Sequence, residues 1–566
     1  MSVVFTVLFN TCYSVTTSSL FTNTRFPASP MSLPISVFFQ TPHQMELYIL
    51  LFGLGLASAE YSLDYGHIEA FLKERKSAQK SKNGPLFHIS SPVGWLRDPA
   101  AFIYFKNQYH IFYEYHPNNG AWGAVHWGHV VSSNLVDWAH YPPALVPKDY
   151  YEKQGCLAGS AIIHDRYLTL FYTGYALRNS KSWQTQNVAI STDGIIFQKY
   201  LYNPVIREDL HGVGNFRNPK VWRHKNNTYM MLGTTSREQL GRLELYTSVD
   251  MNMWTFNKTL AESYGDMGFM WENPDMIDME GMDVLILSVQ GIQADCFRFK
   301  NMYQTGYIVG HFEYDKLAFE NMELSTATFN ELDHGHDFYG VKTTISPDGR
   351  RLLVAGLGMS SLAESRHGWA NMLTLVREIQ LNKRGEMLMT PVREAKQLRR
   401  EILERAWYSP GGAFTSDTKY FELILNTTTA TRDISLTFEW GDGTQFKIGY
   451  SSEHRYVTVD RGREDGVRRA DWSPKGIVHW RIFMDYCAVE VYCGSGEVVF
   501  TSRIPLPRGR VVVKVGGETM VHITQYKLRR GVGYSRISSK KMKYEYRKKV
   551  EKKAKTKANK ISLDDY

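Results

Sequence analysis

Two acidic residues occupy corresponding places in copied stretches of this chain, and together they could cleave a glycosidic bond. Asp98 opens DPAAFIYFKNQYHIFYEY, and Glu272 directly precedes NPDMIDMEGMDVLILSVQ. One carboxylate can act as nucleophile or base while the other, with a raised pKa, protonates the leaving oxygen. A third copy, NPKVWRHKNNTYMMLGTT from Asn218, carries an amide where a carboxylate is expected. Asp98 and Glu272 read equally well as turn caps or ion-pair partners, because paired carboxylates often do structural work only.

Each copy reads as two alternating strands joined by a tight polar turn. GSAIIHDRYLTLFYTG from Gly159 and KTTISPDGRRLLVAGL from Lys342 fit the same template. The openings recur about every 55–70 residues, the spacing of a four-stranded propeller blade with its loops. A second repeat interleaves: Ser132 to Trp138, Ser191 to Phe197 and Ser248 to Trp254 each begin with serine and end with an aromatic. These are expected to be turns into outer strands, with the aromatic wedged between blades. Five blades follow over residues 85–390. Inner strands of a propeller run beside its axis, so Asp98 and Glu272 would reach one funnel from the first and fourth blades, with the proline after Asp98 favouring extended geometry there. From 391 to 528 the rhythm shortens: FELILNTTT, ISLTFEW, FKIGYSS, YVTVDRG, HWRIFMDY, VEVYCGSGEVVF and VVVKVGG read as strands of a β-sandwich. The fold class is therefore all-β, a five-bladed β-propeller followed by a β-sandwich.

The net charge of +9 would suggest nucleic acid, but its location argues otherwise. Residues 527–566 hold 15 Lys/Arg against 4 Asp/Glu, which leaves the rest of the chain at −2. The basicity belongs to a solvated tail over 529–566, and no nucleic-acid partner is expected. At the other end, 1–59 reads as an upstream extension plus signal peptide. Its apolar run, MELYILLFGLGLASA over 45–59, is too short for stable membrane insertion. The expected mature chain starts near Glu60, is secreted, and opens with a helix or linker over 60–84. Sequons at Asn226, Asn257 and Asn426 fit secretion. Cys487 and Cys493 leave a disulfide open, which the spacing does not decide. No CxxC pair suggests zinc, and the HGHD run at His334 to Asp337 reads as a loop rather than a metal site.

WLRDPAAFIYFKNQYHIFYEYHP, WGAVHWGHVVSSNLVDW, LAGSAII, LFYTG, FRNPKVW, MWENPD, YQTGYIVG, LDHGHDFYG and GWANMLTLVREIQL, in that order, resemble glycoside hydrolase family 32, the β-fructofuranosidases. VEVYCGSGEVVFTSRIPLP resembles that family's sandwich domain. The resemblance covers about residues 85 to 525. It implies retaining hydrolysis of a terminal β-fructofuranoside such as sucrose, with no metal or organic cofactor and a small sugar as partner. It places the nucleophile at Asp98, the acid/base at Glu272, and Trp95, Trp122, Arg217 and Trp271 around the fructose pocket. The chain also departs from the family pattern. Arg97 stands for asparagine, Ala100-Ala101 for Asn-Gly, Glu114 for glutamine, Leu157-Ala158 for an aromatic-serine pair, and Asn273 for cysteine. Asn218 stands for the aspartate that grips fructose hydroxyls and steadies the transition state. Arg97 is expected to depress the pKa of Asp98 and to pair with Glu114 across the pocket wall. Two readings follow: a fructosidase of lowered activity, and a carbohydrate-binding or interaction paralogue that does not cleave.

Overall fold

The computed structural model describes residues 84–117, 124–207, 215–320, 324–358 and 369–535. The extension and leader, nearly all of the 60–84 helix or linker, Trp122 and the tail from 536 lie outside the described residues. Among the described residues no helix is long and apolar enough to cross a membrane.

Alternation of large apolar residues with tight turns builds the blades directly. The inner hairpins turn through pairs of positive-φ residues, Lys106–Asn107, Asp165–Arg166 and Glu280–Gly281, a twist that matches paired β-strands. The inner strands are Gly94–Phe105, Gly155–His164, Phe216–His224, Met270–Met279 and Phe338–Ile345. Each leads an antiparallel sheet that continues outward in chain order. Successive inner strands touch, and the fifth also touches the first, closing the ring.

The interleaved serine repeat does what its pattern predicts. Ser191 Oγ accepts from Gly194 N at 2.9 Å, and Ser248 Oγ accepts from Met251 N at 2.8 Å. In two of the three turns the closing aromatic wedges into the preceding blade: Phe197 meets Phe112 edge-on at 5.5 Å, and Trp254 meets Phe171 at 5.8 Å.

Two six-stranded sheets form the sandwich. Phe421, Leu423, Leu436, Phe438, Trp480 and Ile482 lie in its buried core. One of its outer strands, Arg399–Tyr408 (RREILERAWY), has a helix-favouring composition. Pairing with Val521–Leu528 overrides that preference, and its charges suit a sheet edge. The fold also runs past the expected 528 boundary. Val532–Tyr534 returns to the first blade and pairs in parallel with Trp138–His140. Arg529 donates to Asp137 at 2.9 Å, so residues 529–535 belong to the propeller edge rather than to a free tail. Cys487 and Cys493 are both buried, and neither is in a disulfide. Cys487 precedes the strand Ala488–Cys493 and Cys493 ends it, about 20 Å apart at extended-chain rise, beyond disulfide reach.

The first blade buries four histidines, His110, His116, His129 and His140, and burial depresses three of them. His110 Nδ1 and His129 Nε2 lie 3.0 Å apart, His129 stacks on Phe112 at 4.4 Å, and His140 Nδ1 lies 3.2 Å from the Tyr113 hydroxyl. Burial brings His110 down to about 4 and His140 to about 3, and holds His129 well below its ordinary value. Depressed bases contribute stability in full above about pH 6.5 and lose it as pH falls through their folded values. Unfolding free energy is expected to drop by roughly 2 kcal/mol per histidine between pH 7 and 5. Urea titrations of parent and His129→Phe at both pH values check this; an equal drop in the two would refute it.

Candidate active site

Every inner strand carries a register irregularity at the same height. It falls between Leu96 and Pro99, Leu157 and Gly159, Glu272 and Asp275, and Tyr339 and Val341, and in the third blade opposite Met231 and Gly233. A bulge adds one residue to a strand and re-aims its side chain. Asn218, Asn273 and Gly340 adopt left-handed φ values of 62°, 47° and 60° there, a region asparagine and glycine tolerate best. The five bulges bring Asp98, Ala158, Asn218, Asn273 and Gly340 together in a ring. Asn273 Nδ2 donates to Asp98 Oδ2 at 3.4 Å, Asn273 N donates to Asn218 Oδ1 at 3.4 Å, and Asn218 Nδ2 donates to the Ala158 carbonyl at 3.4 Å. The Thr173 hydroxyl accepts from Asn218 N at 3.0 Å.

Gly340 closes the ring because only a hydrogen fits. A Cβ at this position would meet Asp98 Cγ at 3.0 Å and Asn273 Nδ2 at 3.2 Å, on top of the left-handed backbone. Gly340→Ala is expected to displace Asp98 and lower any turnover at least tenfold. An unchanged rate in a folded variant would remove Gly340 from the site.

Charge concentrates around one guanidinium. Arg97 Nη1 lies 3.7 Å from Glu114 Oε2, Nη2 lies 3.9 Å from Glu272 Oε1, and Nε lies 4.0 Å from Asp98 Oδ2. The anticipated Arg97–Glu114 pairing is therefore present as an ion pair. Glu114 is anchored by accepting the Ala158 amide. Glu272 is held more tightly, accepting from Arg217 Nε at 2.7 Å, Gln290 Nε2 at 2.6 Å and the Tyr339 hydroxyl at 2.5 Å. Beneath the ring, Lys220 pairs with Asp275, and burial brings the neighbouring Lys342 down to about 8.

The electrostatics correct one expectation and invert another. Burial pushes the Asp98 carboxyl up and outweighs Arg97, so the aspartate is raised where depression was expected. Burial works against ionisation of Glu272 as well, but Arg217 and Arg97, with the Tyr339 hydrogen bond, hold it down at about 2. The expected acid thus sits below the expected nucleophile. Burial also pushes Glu114 up to about 7.

The other anticipated residues divide. Trp95 sits two residues before Arg97 and stacks on His116 at 5.5 Å. Leu157 is buried, and its carbonyl accepts from Trp127 Nε1 at 3.2 Å. Trp271 does not line the ring as a wall. Its indole is fully buried between the third and fourth blades, donates to the Met267 carbonyl at 2.7 Å, and is approached so closely by Gly241 that a Cβ there would clash. Sequence reasoning missed Tyr339 and Gln290, whose signal was their place at the mouth end of blade hairpins. The HGHD run serves as a loop that joins the domains: Asp337 Oδ2 accepts from Arg461 Nη1 at 2.6 Å and from Arg503 N at 2.8 Å, and His336 Nδ1 lies 2.8 Å from Ser502 Oγ. Among the described residues no group of His, Cys, Asp and Glu side chains could hold a metal ion.

A five-bladed propeller with carboxylates gathered at the starts of its inner strands, joined to a two-sheet sandwich, defines a class of carbohydrate-active proteins. Residues 88–391 match the N-terminal domain of the glycosyl hydrolases family 32, and 393–519 match its C-terminal domain. The solved β-fructofuranosidase of Bombyx mori is 36% identical, with a TM-score of 0.77 over 83% of this chain and 99% of that one. Sucrose-6-phosphate hydrolase of Escherichia coli is 33% identical over 75% of this chain and 90% of its own length. The raffinose invertase of Escherichia coli is 31% identical over 76% and 91%. This chain belongs to glycoside hydrolase family 32.

Proposed function

We propose that the protein is a retaining β-fructofuranosidase that releases the terminal fructosyl unit of sucrose or a related fructoside, with turnover lowered by its pocket substitutions. The observation that carries this reading is the placement of Asp98 and Glu272 within 4.0 Å of one guanidinium at the mouth of a closed propeller. Asp98 attacks the anomeric carbon and forms a fructosyl ester as the bond to the leaving oxygen breaks. Glu272 gives that oxygen its proton, then takes one from the water that hydrolyses the ester. Arg217 orients Glu272, and Asn218 offers a neutral acceptor to the sugar hydroxyls.

The productive protonation state is the minor one, since it needs Asp98 ionised and Glu272 protonated against the order that the pocket imposes. Each pKa unit of inversion costs about tenfold in the competent fraction. Substrate that draws Arg217 or Arg97 away from Glu272 would restore it. The same inversion favours a second reading, a pocket that binds sugar without cleaving it.

Incubation of the purified protein with sucrose, sucrose 6-phosphate and raffinose, beside the Asp98→Asn variant, separates the two. Asp98-dependent release of fructose supports the enzyme. Calorimetric binding of sugar with no release from any form supports the binding paralogue.

Secretion belongs to the same proposal. Asn226 and Asn257 are exposed and open to glycosylation. Asn426 is half-buried, and its Oδ1 lies 2.7 Å from His479 Nδ1, so the first two sequons are the ones expected to carry glycan.

A further inference from the structure

The second blade overhangs the pocket. Its inner strand begins at Gly155, which pairs with Tyr175, while the next strand runs on through Arg178 before turning back at Lys181. Residues 176–178 therefore project beyond the start of the inner strand, on the side where all five bulges open. This hairpin is tied to the site at its base: Thr173 pairs with Leu157, its hydroxyl accepts Asn218 N, and it donates to Gln186 Oε1 at 2.8 Å.

An aromatic pair sits on that overhang. Tyr150 stacks on Trp183 at 5.9 Å with an interplanar angle of 26°, and the Arg178 guanidinium lies 5.7 Å from the Trp183 ring centroid. Both rings are held by their surroundings. The Trp183 indole N–H donates to the Arg207 carbonyl at 2.9 Å. Tyr150 rides on a turn fastened by the fully buried Glu152, which accepts Lys148 N at 3.0 Å and the Tyr172 hydroxyl at 2.7 Å. Yet Tyr150 remains 56% exposed, and Leu177 beside the pair is 53% exposed. A fixed, stacked and solvent-facing aromatic pair costs little entropy to use and offers a flat apolar face.

Strand geometry sets its distance from the pocket. Trp183 pairs with Ala176, three residues beyond Thr173 and two strands out from Ala158. At about 3.3 Å per residue and 4.8 Å per strand, the pair lies about 14 Å from the ring. We infer that Tyr150 and Trp183, with Arg178, form a distal sugar-stacking subsite that takes a hexose of the leaving group in a fructoside longer than sucrose. A sugar ring presents C–H groups to the aromatic face and hydroxyls to the guanidinium. A disaccharide whose fructose fills the pocket is too short to reach it.

This inference rests on the reading that the pocket takes a terminal fructosyl unit. Its test compares sucrose with a β-2,1-linked fructan tetrasaccharide in the parent, Tyr150→Ala and Tyr150→Phe. Tyr150→Ala is expected to raise the ratio of tetrasaccharide KM to sucrose KM about three- to tenfold with kcat little moved, and Tyr150→Phe to restore it. A ratio equal in parent and Tyr150→Ala overturns the subsite while leaving the fructosidase reading standing. If no form releases fructose, the fructosidase reading fails and calorimetry with the tetrasaccharide decides. Binding weakened three- to tenfold by Tyr150→Ala sustains the subsite, whereas unchanged binding, or none to the parent, overturns it.

Discussion

Fructose release from sucrose should fall to background in an Asp98→Asn variant and rise about ten- to a hundredfold in Asn218→Asp. The first expectation follows from covalent chemistry, because an amide cannot form the fructosyl ester. The second rests on two physical effects. A carboxylate accepts hydroxyl hydrogen bonds with charge assistance worth about 1.5–3 kcal/mol, and such a bond accelerates the reaction to the extent that it tightens in the transition state. A new anion beside the ring also raises the pKa of Glu272, moving it toward the protonated form that the leaving oxygen requires. Two costs oppose them: the same anion also raises the pKa of Asp98, whose ionised form makes the attack, and a hydrogen bond is lost. Asn218 Nδ2 donates to the Ala158 carbonyl, and that donor is lost, whereas the acceptor facing Asn273 N is kept. Initial rates of the three proteins at saturating sucrose settle the matter. A rate in Asn218→Asp no higher than in the parent would show that residue 218 does not limit turnover.

Replacing Arg377 by methionine should destabilise the protein by about 3–5 kcal/mol. Arg377 is fully buried where the fifth blade meets the sandwich. Its Nη1 donates to Asp333 Oδ2 at 2.8 Å, and its Nη2 donates to Glu490 Oε2 at 2.7 Å and to Thr501 Oγ1 at 2.5 Å. Removing the cation strands two buried carboxylates, which accounts for the size of the loss. His88 extends the network, with Nδ1 2.9 Å from Asp485 and Nε2 2.8 Å from Glu490.

The pH dependence of this interface has a defined sign. Burial opposes the charge on His88, but Asp485 and Glu490 carry it up to about 9. Its contribution, about 3 kcal/mol, is complete below about pH 6.5 and is lost as pH rises through 9. Burial likewise opposes ionisation of Glu490, but Arg377 and His88 hold it at about 2. That contribution is complete above about pH 4.5 and is lost as pH falls toward 2. Urea unfolding of the parent, Arg377→Met and His88→Gln between pH 2 and 10 checks both statements and the size of the Arg377 loss. A loss below about 1 kcal/mol in Arg377→Met, or an alkaline decline that survives in His88→Gln, would contradict them.

Much of this was legible in the chain. Proline-marked hairpins, their spacing and the serine-to-aromatic turns report local periodicity, and local periodicity determined the five blades, the inter-blade wedges at Phe197 and Trp254, and the delivery of Asp98 and Glu272 to one mouth. Motif order determined the family. Other features were decided only in three dimensions. The edge strand Arg399–Tyr408 exists because a partner strand outbids its helical composition. The burial of Trp271 depends on Gly241 in a neighbouring blade, and the Arg377 network joins residues more than a hundred positions apart. The ionisation of the site is the sharpest case. Adjacent letters predict that Arg97 depresses Asp98, but burial and three partners from other strands decide which carboxylate holds the proton. Periodicity is a property of neighbours in sequence and can be read there. Desolvation and charge pairing are properties of neighbours in space, and only the closed propeller brings those together.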